Sequence, residues 1–223
     1  MSINIAIDGP AGAGKSTAAR AAAAKLGFIY ADTGALYRAV AYYVISKGGD
    51  VKNAGEVISM LPEITPEIRF VNGEQRVYVN GEDVSGKIRT PEVSMGASAV
   101  SPIPRVREFL FELQKKIARE NNVIMDGRDI GTVVLPEADL KIFLTASPEE
   151  RAGRRYRELC EKGNAPSYDE VLADIIKRDH DDSTRETAPL KQADDAVLFD
   201  TTGLTLDETC DRLVEMIREA VNL

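Results

Sequence analysis

The 223-residue sequence predicts an α/β fold: a five-stranded parallel sheet between helices, plus a small antiparallel β insertion and an arginine-rich lid. Three observations carry that reading. Short apolar runs alternate with amphipathic helical stretches, the pattern of a sheet covered on both faces. The first run leads directly into a glycine-rich loop and then an alanine-rich stretch of high helix propensity. The alternation breaks once, at about residues 66–90, where two Asn-Gly pairs signal hairpins.

The first strand is Ile3–Ile7, and Gly9 to Ser16 after it complete the pattern G-x-x-x-x-G-K-[ST]. Such a loop wraps its backbone N–H groups round phosphates at a helix start, where the dipole favours an anion. Lys15 reaches the β/γ phosphates, and the Ser16 hydroxyl is placed for a bridging Mg²⁺. The chain therefore handles ATP or GTP. The second strand, Phe28–Tyr30, is followed by Asp32 to Arg38 and a helix running to Ser46. Asp32 or Thr33 caps that helix. Arg38 lies in its early turns, where positive charge opposes the helix dipole, and so implies an anionic partner.

Asn72-Gly73 and Asn80-Gly81 flank Gln75–Val79 as a meander. A helix-rich piece, Pro91 to Glu120, leads back to the third strand, Val123–Met125, which ends in Asp126-Gly127-Arg128-Asp129. Ligands of open α/β sheets sit at the carboxyl ends of strands. There Arg128 can clamp a phosphate, Asp129 can accept from a base or ribose, and Asp126 can hold a Mg²⁺-bound water. The remaining strands are Leu140–Leu144 and Ala196–Phe199, and Ser147, Ser167 and Thr205 each open a helix as a capping box with Glu150, Glu170 and Glu208. Arg151, Arg154 and Arg155 share a helical face within about 100° and suit a bidentate grip on phosphates. With Gly163-Asn164 as hinge they read as a lid. Arg178, Asp182 and Arg185 form one stripe on the next helix, and His180 falls off it as a surface residue.

Apolar residues make up 43% and charged residues 29%, an ordinary globular balance. The net charge of −8 argues against a nucleic-acid or membrane surface. There is no apolar run of membrane-spanning length and no signal-peptide layout, and Cys160 and Cys210 lack metal spacing, so the reading is a reducing cytoplasm. Cys210 shares an apolar helical stripe and reads as a core thiol. A phosphate acceptor arrives already ionised and needs no base. A site of Lys, Arg, Mg²⁺ and loop amides, with no histidine at the strand ends, therefore leans towards such an acceptor.

Taken together, Ile7-Asp8-Gly9-Pro10 with its loop, Asp32–Arg38, Glu82–Arg89, Pro104–Glu108, Asp126–Thr132, Lys141–Leu144, Glu150–Arg155 and Arg178–Pro189 closely resemble the bacterial cytidylate (CMP) kinase family. The resemblance spans nearly the whole chain and implies a single P-loop kinase domain, 1–223. Within it, 63–97 is an inserted CMP-side β subdomain and 150–165 the lid. It implies transfer of a phosphoryl group from Mg²⁺-ATP to CMP or dCMP by a monomer. Gly9, Pro10, Ala11, Gly12, Ala13, Gly14, Lys15, Ser16 and Thr17 would hold ATP, with Ser16 on the metal. Thr33, Arg38 and Arg128 would face the acceptor phosphate, while Ser98, Arg107 and Asp129 would read cytosine. Arg178 and Asp182 would approach the ribose, Arg185 would join that pocket, and Lys15, Arg128, Arg151, Arg154 and Arg155 would serve catalysis. Two alternatives stand beside it: a P-loop kinase for UMP or a non-nucleotide alcohol, and a nucleotide-binding switch. The switch has only Asp200-Thr201-Thr202-Gly203 in its favour, far from the loop and with no guanine-reading Asn-Lys-x-Asp.

Overall fold

The computed structural model describes residues 2–161, 163 and 166–223. In chain order the elements are β1 (Asn4–Asp8), α1 (Lys15–Leu26), β2 (Ile29–Asp32), α2 (Gly34–Ser46), α3 (Ala54–Met60), β3 (Pro66–Val71), β4 (Glu74–Val79), β5 (Glu82–Asp83), α4 (Pro91–Val100) and α5 (Pro104–Glu120). There follow β6 (Val123–Gly127), β7 (Leu140–Thr145), α6 (Pro148–Glu161), α7 (Tyr168–Thr184), β8 (Val197–Asp200) and α8 (Leu206–Val221). The parallel sheet runs β2-β6-β1-β7-β8.

Alternation along the central strands sorts the core onto two faces. Ile5, Ile7, Ile124, Ile142 and Leu144 pack against the small residues of α1 and Leu213, Val214 and Ile217 of α8. Ala6, Ala31 and Met125 turn the other way, to Ile117 and Ala118 of α5. Cys210 is buried in the first of these clusters. The antiparallel meander β3-β4-β5 shares its core with α2, joining Val77, Val79 and Val84 to Leu36, Val40 and Val44. Both Asn-Gly pairs are left-handed at both residues (Asn72 53°, Gly73 79°; Asn80 53°, Gly81 82°), as hairpins of the primed type require.

Strands β2 and β6 extend two residues beyond the reach of their apolar patterns. Their parallel pairing carries on to the register Asp32↔Asp126 and sets two acidic residues side by side at the strand ends. Ser167 and Thr205 make complete capping boxes. Ser147 makes only half of one. Its hydroxyl accepts from the Glu150 N–H at 3.2 Å, but its own N–H donates to Thr202 Oγ1 at 3.0 Å. The Glu150 carboxylate is taken by Arg154 Nε at 3.2 Å. Helix α7 ends at Thr184, so Arg185 is its extended C-cap and departs from the stripe of Arg178 and Asp182. The proposed hinge at Gly163-Asn164 and the end of the 150–165 segment fall partly outside the described residues, which omit 162, 164 and 165.

Candidate active site

The loop of residues 9–14 crosses the end of β1 and delivers Lys15 as the first residue of α1. Gly9 (φ 147°) lies so close to the next strand that a Cβ would stand 1.9 Å from the Leu144 carbonyl oxygen. Lys15 is buried, and its ammonium donates to the Pro10 carbonyl at 2.7 Å. Burial, together with the neighbouring charge of Arg128, pulls its pKa down to about 7. An ammonium held this way gains from a polyphosphate, which supplies the missing counter-charge. Ser16 Oγ donates to Asp126 Oδ2 at 2.7 Å, and the Tyr30 hydroxyl to Asp126 Oδ1 at 2.9 Å. Burial and the charge of Asp32 both raise the Asp126 carboxyl, against Lys15 and the two hydroxyls.

Asp8, one residue ahead of the loop, accepts the Ile130 and Gly131 N–H groups, each at 2.7 Å. It thereby ties β1 to the turn that carries Arg128 and Asp129. Burial outweighs those bonds and raises its pKa from the usual 3.8 to about 6. The native state thus holds this proton more tightly than the unfolded chain does. The associated stability is complete below about pH 3.8 and is lost as pH rises through about 6, roughly 3 kcal/mol in all. Urea unfolding between pH 4 and 8 should therefore lose stability more steeply in the parent protein than in Asp8→Asn. Parallel curves would remove Asp8 as the source.

Beyond Lys15 a second cleft gathers the residues expected to face an acceptor. Asp32 opens α2, its Oδ1 accepting from Ala35 N at 3.0 Å and its Oδ2 from Arg38 Nη2 at 2.6 Å. The anion implied by Arg38's position in the early turns of α2 is met by this carboxylate. Gly34 leaves the pair room, since a Cβ there would lie 3.1 Å from Asp32 Oδ1 and 3.2 Å from Arg38 Nη1. Thr33 is buried and donates to the Asp126 carbonyl at 2.8 Å. Arg128 Nε donates to Asp182 at 2.8 Å. Burial alone would raise Asp182, but Arg128 by charge and hydrogen bond, with Arg178 and Arg185, holds it below the usual range.

Asp129 is bonded by Arg107 and faced by Arg185 at 3.8 Å. Its burial still raises its pKa against those cations. Arg178 makes no hydrogen bond or ion pair within 4.0 Å among the described residues. Crowding by its neighbours and then the charge of Arg128 lower its pKa, although the residue as a whole is exposed to solvent. Two other donors here, Arg38 Nε and Arg185 Nη2, are buried and among the described residues lack a hydrogen-bond partner. Buried donors of this kind are costly unless a ligand satisfies them.

Ser98 is exposed on α4, its hydroxyl 3.5 Å from the Ser94 carbonyl, and forms no bond to this cluster. Ser101, three residues on, does: its carbonyl accepts from Arg107 at 3.2 Å and its hydroxyl from Arg185 at 3.4 Å. Tyr37, like Ser101 not singled out by the sequence pattern, lies beneath the Arg107 guanidinium at 5.6 Å. An aromatic one residue before Arg38 was the available signal.

The lid arginines separate. Arg151 is buried, with Nε on the Ala146 carbonyl (2.9 Å) and Nη1 on both the Ala11 carbonyl (3.1 Å) and Asp179 (2.9 Å). Arg154 reaches the Ala13 carbonyl at 3.3 Å and the Thr201 carbonyl at 2.9 Å. Arg155 turns to Glu158 at 2.8 Å on the exposed side. Two of the three thus brace the phosphate loop from behind α6. Among the described residues no three His, Cys, Asp or Glu side chains form a metal cluster. The oxygens of Ser16 and Asp126 nevertheless suit a hard cation that keeps its waters and is shared with phosphates.

A phosphate loop at the end of the middle strand of this sheet, facing an arginine-lined second cleft, defines the class: the protein is a P-loop kinase. A cytidylate kinase family model matches residues 5–219. The cytidylate kinase of Caldicellulosiruptor bescii is 50% identical over 98% of this chain and 97% of its own length. That of Carboxydothermus hydrogenoformans is 51% identical over 96% and 97%. The chain belongs to the cytidylate kinase family. An uncharacterized protein of known structure from Eubacterium ventriosum shares the fold at a TM-score of 0.55 and 13% identity, covering 98% of this chain and 99% of its own.

Proposed function

We propose that the protein transfers the γ-phosphoryl group of ATP to CMP or dCMP, giving ADP and CDP or dCDP. The observation that carries this reading is the pair of buried donors, Arg38 Nε and Arg185 Nη2, that among the described residues find no hydrogen-bond partner, Arg185 Nη2 facing Asp129 only at ion-pair distance, 3.8 Å. Donors so placed require an anionic or carbonyl-rich ligand. Asp129, an acceptor among cations, supplies the complementary demand for an amino group, which cytosine has and uracil lacks.

In this reading the loop amides and Lys15 hold the β and γ phosphates of ATP. Arg38, Arg128 and Thr33 face the acceptor phosphate, whose oxygen attacks the γ phosphorus in line as the bond to the β,γ-bridging oxygen breaks. Since Thr33 gives its proton to the Asp126 carbonyl, it donates to an ionised acceptor phosphate only once its hydroxyl has rotated. Arg107, Asp129 and Ser98 read the base, Arg178 and Asp182 take the ribose, and Arg185 completes the pocket. The lid, 150–165, supplies Arg151, Arg154 and Arg155, and the inserted unit, 63–97, belongs to the CMP side. Ser16, and Asp126 through water, would hold Mg²⁺, which would supply charge neutralisation at the transferring phosphates. No residue must remove a proton, because a phosphate oxygen is already ionised; catalysis is positioning and charge stabilisation. The same reading makes the protein a cytoplasmic monomer acting on free nucleotides. Among the described residues no helix is long and apolar enough to cross a membrane.

The test is an ADP-release assay with Mg²⁺-ATP and CMP, dCMP, UMP, AMP or GMP as separate acceptors. Turnover with CMP and dCMP and little with UMP is expected. Equal turnover with UMP would overturn the role of Asp129, and none with any nucleotide would overturn the acceptor.

A further inference from the structure

Along β4 the residues facing inward are Gln75, Val77 and Val79. The two valines are buried in the core shared with α2, whereas Gln75 places a primary amide in an apolar register. Its partners are the two backbone groups of a single residue. Asp32 N–H donates to Gln75 Oε1 at 2.7 Å, and Gln75 Nε2 donates to the Asp32 carbonyl at 3.2 Å. Since β2 is an outer strand of the parallel sheet, Asp32 has no ladder neighbour on that side. The glutamine amide stands in for one residue of a missing strand.

A cavity of about 120 Å³ borders this bridge, lined among others by Tyr30, Asp32, Gln75 and Ser85. Ile68 and Phe70 of β3 pack on the cluster that holds Ala31, one residue back along β2, whereas at Asp32 itself the cavity leaves the two hydrogen bonds as the link to the meander. Asp32 is also the residue whose carboxylate caps α2 and grips Arg38 at 2.6 Å, leaving Arg38 Nε buried and unpartnered.

We propose that Gln75 is a positioning residue for the acceptor phosphate, fixing the backbone of Asp32 so that its carboxylate aims Arg38 into the cleft. This rests on the reading that Arg38 faces that phosphate. The meander thereby acquires a defined role in the chemistry, which it reaches through one amide, one carboxylate and one guanidinium.

The experiment compares Gln75→Met, which keeps length and removes both hydrogen bonds, with Arg38→Lys and the double variant, reading KM for CMP and for ATP separately. Gln75→Met should raise KM for CMP about 3- to 10-fold, the size of one or two lost neutral hydrogen bonds, with KM for ATP unchanged. In the Arg38→Lys background the same substitution should change KM for CMP less than about 2-fold, because the guanidinium it aims is gone. Gln75→Glu keeps the acceptor for Asp32 N–H but sets a carboxylate oxygen against the Asp32 carbonyl, so its KM for CMP should rise at least as far as that of Gln75→Met with KM for ATP unchanged; it also serves if the methionine variant fails to fold. Equal rises in both KM values, or a full effect that persists beside Arg38→Lys, would mark a general structural role and overturn the proposal. An unchanged KM for CMP in Gln75→Met, where Arg38→Lys raises it, would overturn the proposal alone. An unchanged KM in Arg38→Lys would overturn the phosphate reading and the proposal together.

Discussion

Replacing Lys15 with methionine should lower kcat/KM for ATP by about 10²- to 10³-fold, the usual cost of removing one electrostatic donor from a reacting phosphate or oxyanion. The fold should not suffer. Lys15 is buried, its only hydrogen-bond acceptor among the described residues is the Pro10 carbonyl, and burial already presses its pKa down to about 7. Methionine matches its length and removes a charge that is poorly compensated when no nucleotide is bound. Parent and variant should therefore melt within a few degrees of each other while activity collapses. A loss of less than about 10-fold, or a melting temperature that falls with the activity, would sink the assignment of Lys15 to the phosphates.

Asp129→Asn is expected to act on stability and selectivity together. The carboxylate is buried between Arg107 and Arg185, whose side chains keep only 11% and 8% of their exposure. Neutralising it leaves two cations facing each other with less compensation, a change of about 3–5 kcal/mol for a broken buried pair. In the proposed reading it also turns an acceptor for the cytosine amino group into an amide that can donate to uracil. The ratio of kcat/KM for CMP to that for UMP should then fall by about 10- to 100-fold, the equivalent of one mismatched buried polar group. Urea unfolding and the two acceptor assays read the two effects independently. A destabilised variant with an unchanged ratio would leave Asp129 as an internal counter-ion with no part in base recognition.

Much of this was legible because local rules decide it. Gly9 to Ser16 needs only neighbours in sequence, and Asn72-Gly73 and Asn80-Gly81 needed only their own left-handed backbone to set the hairpins. The cluster at Asp126–Asp129 was visible because charges at a strand end have few structural uses. Less legible were features that depend on a partner far along the chain. The Thr33 hydroxyl is bonded to a carbonyl 93 residues away, and Arg151 reaches the phosphate loop across 140 residues. Helical spacing put Arg151, Arg154 and Arg155 on one face, but the packing of α6 against α7 and the loop decided that Arg151 would be buried and Arg155 exposed. Ser101 bonds Arg107 and Arg185 because it follows the last turn of α4, where the chain bends towards them.

The pairing of arginines with carboxylates at this site sets its electrical capacity. Five arginines (38, 107, 128, 178 and 185) stand with three carboxylates (32, 129 and 182), an excess of two positive charges. A phosphate monoester above its second pKa of about 6 carries two negative ones. In the proposed reading the acceptor phosphate would neutralise that excess, whereas a neutral sugar or alcohol would leave it uncompensated. Charge balance would then favour a phosphate-bearing acceptor before any base is read.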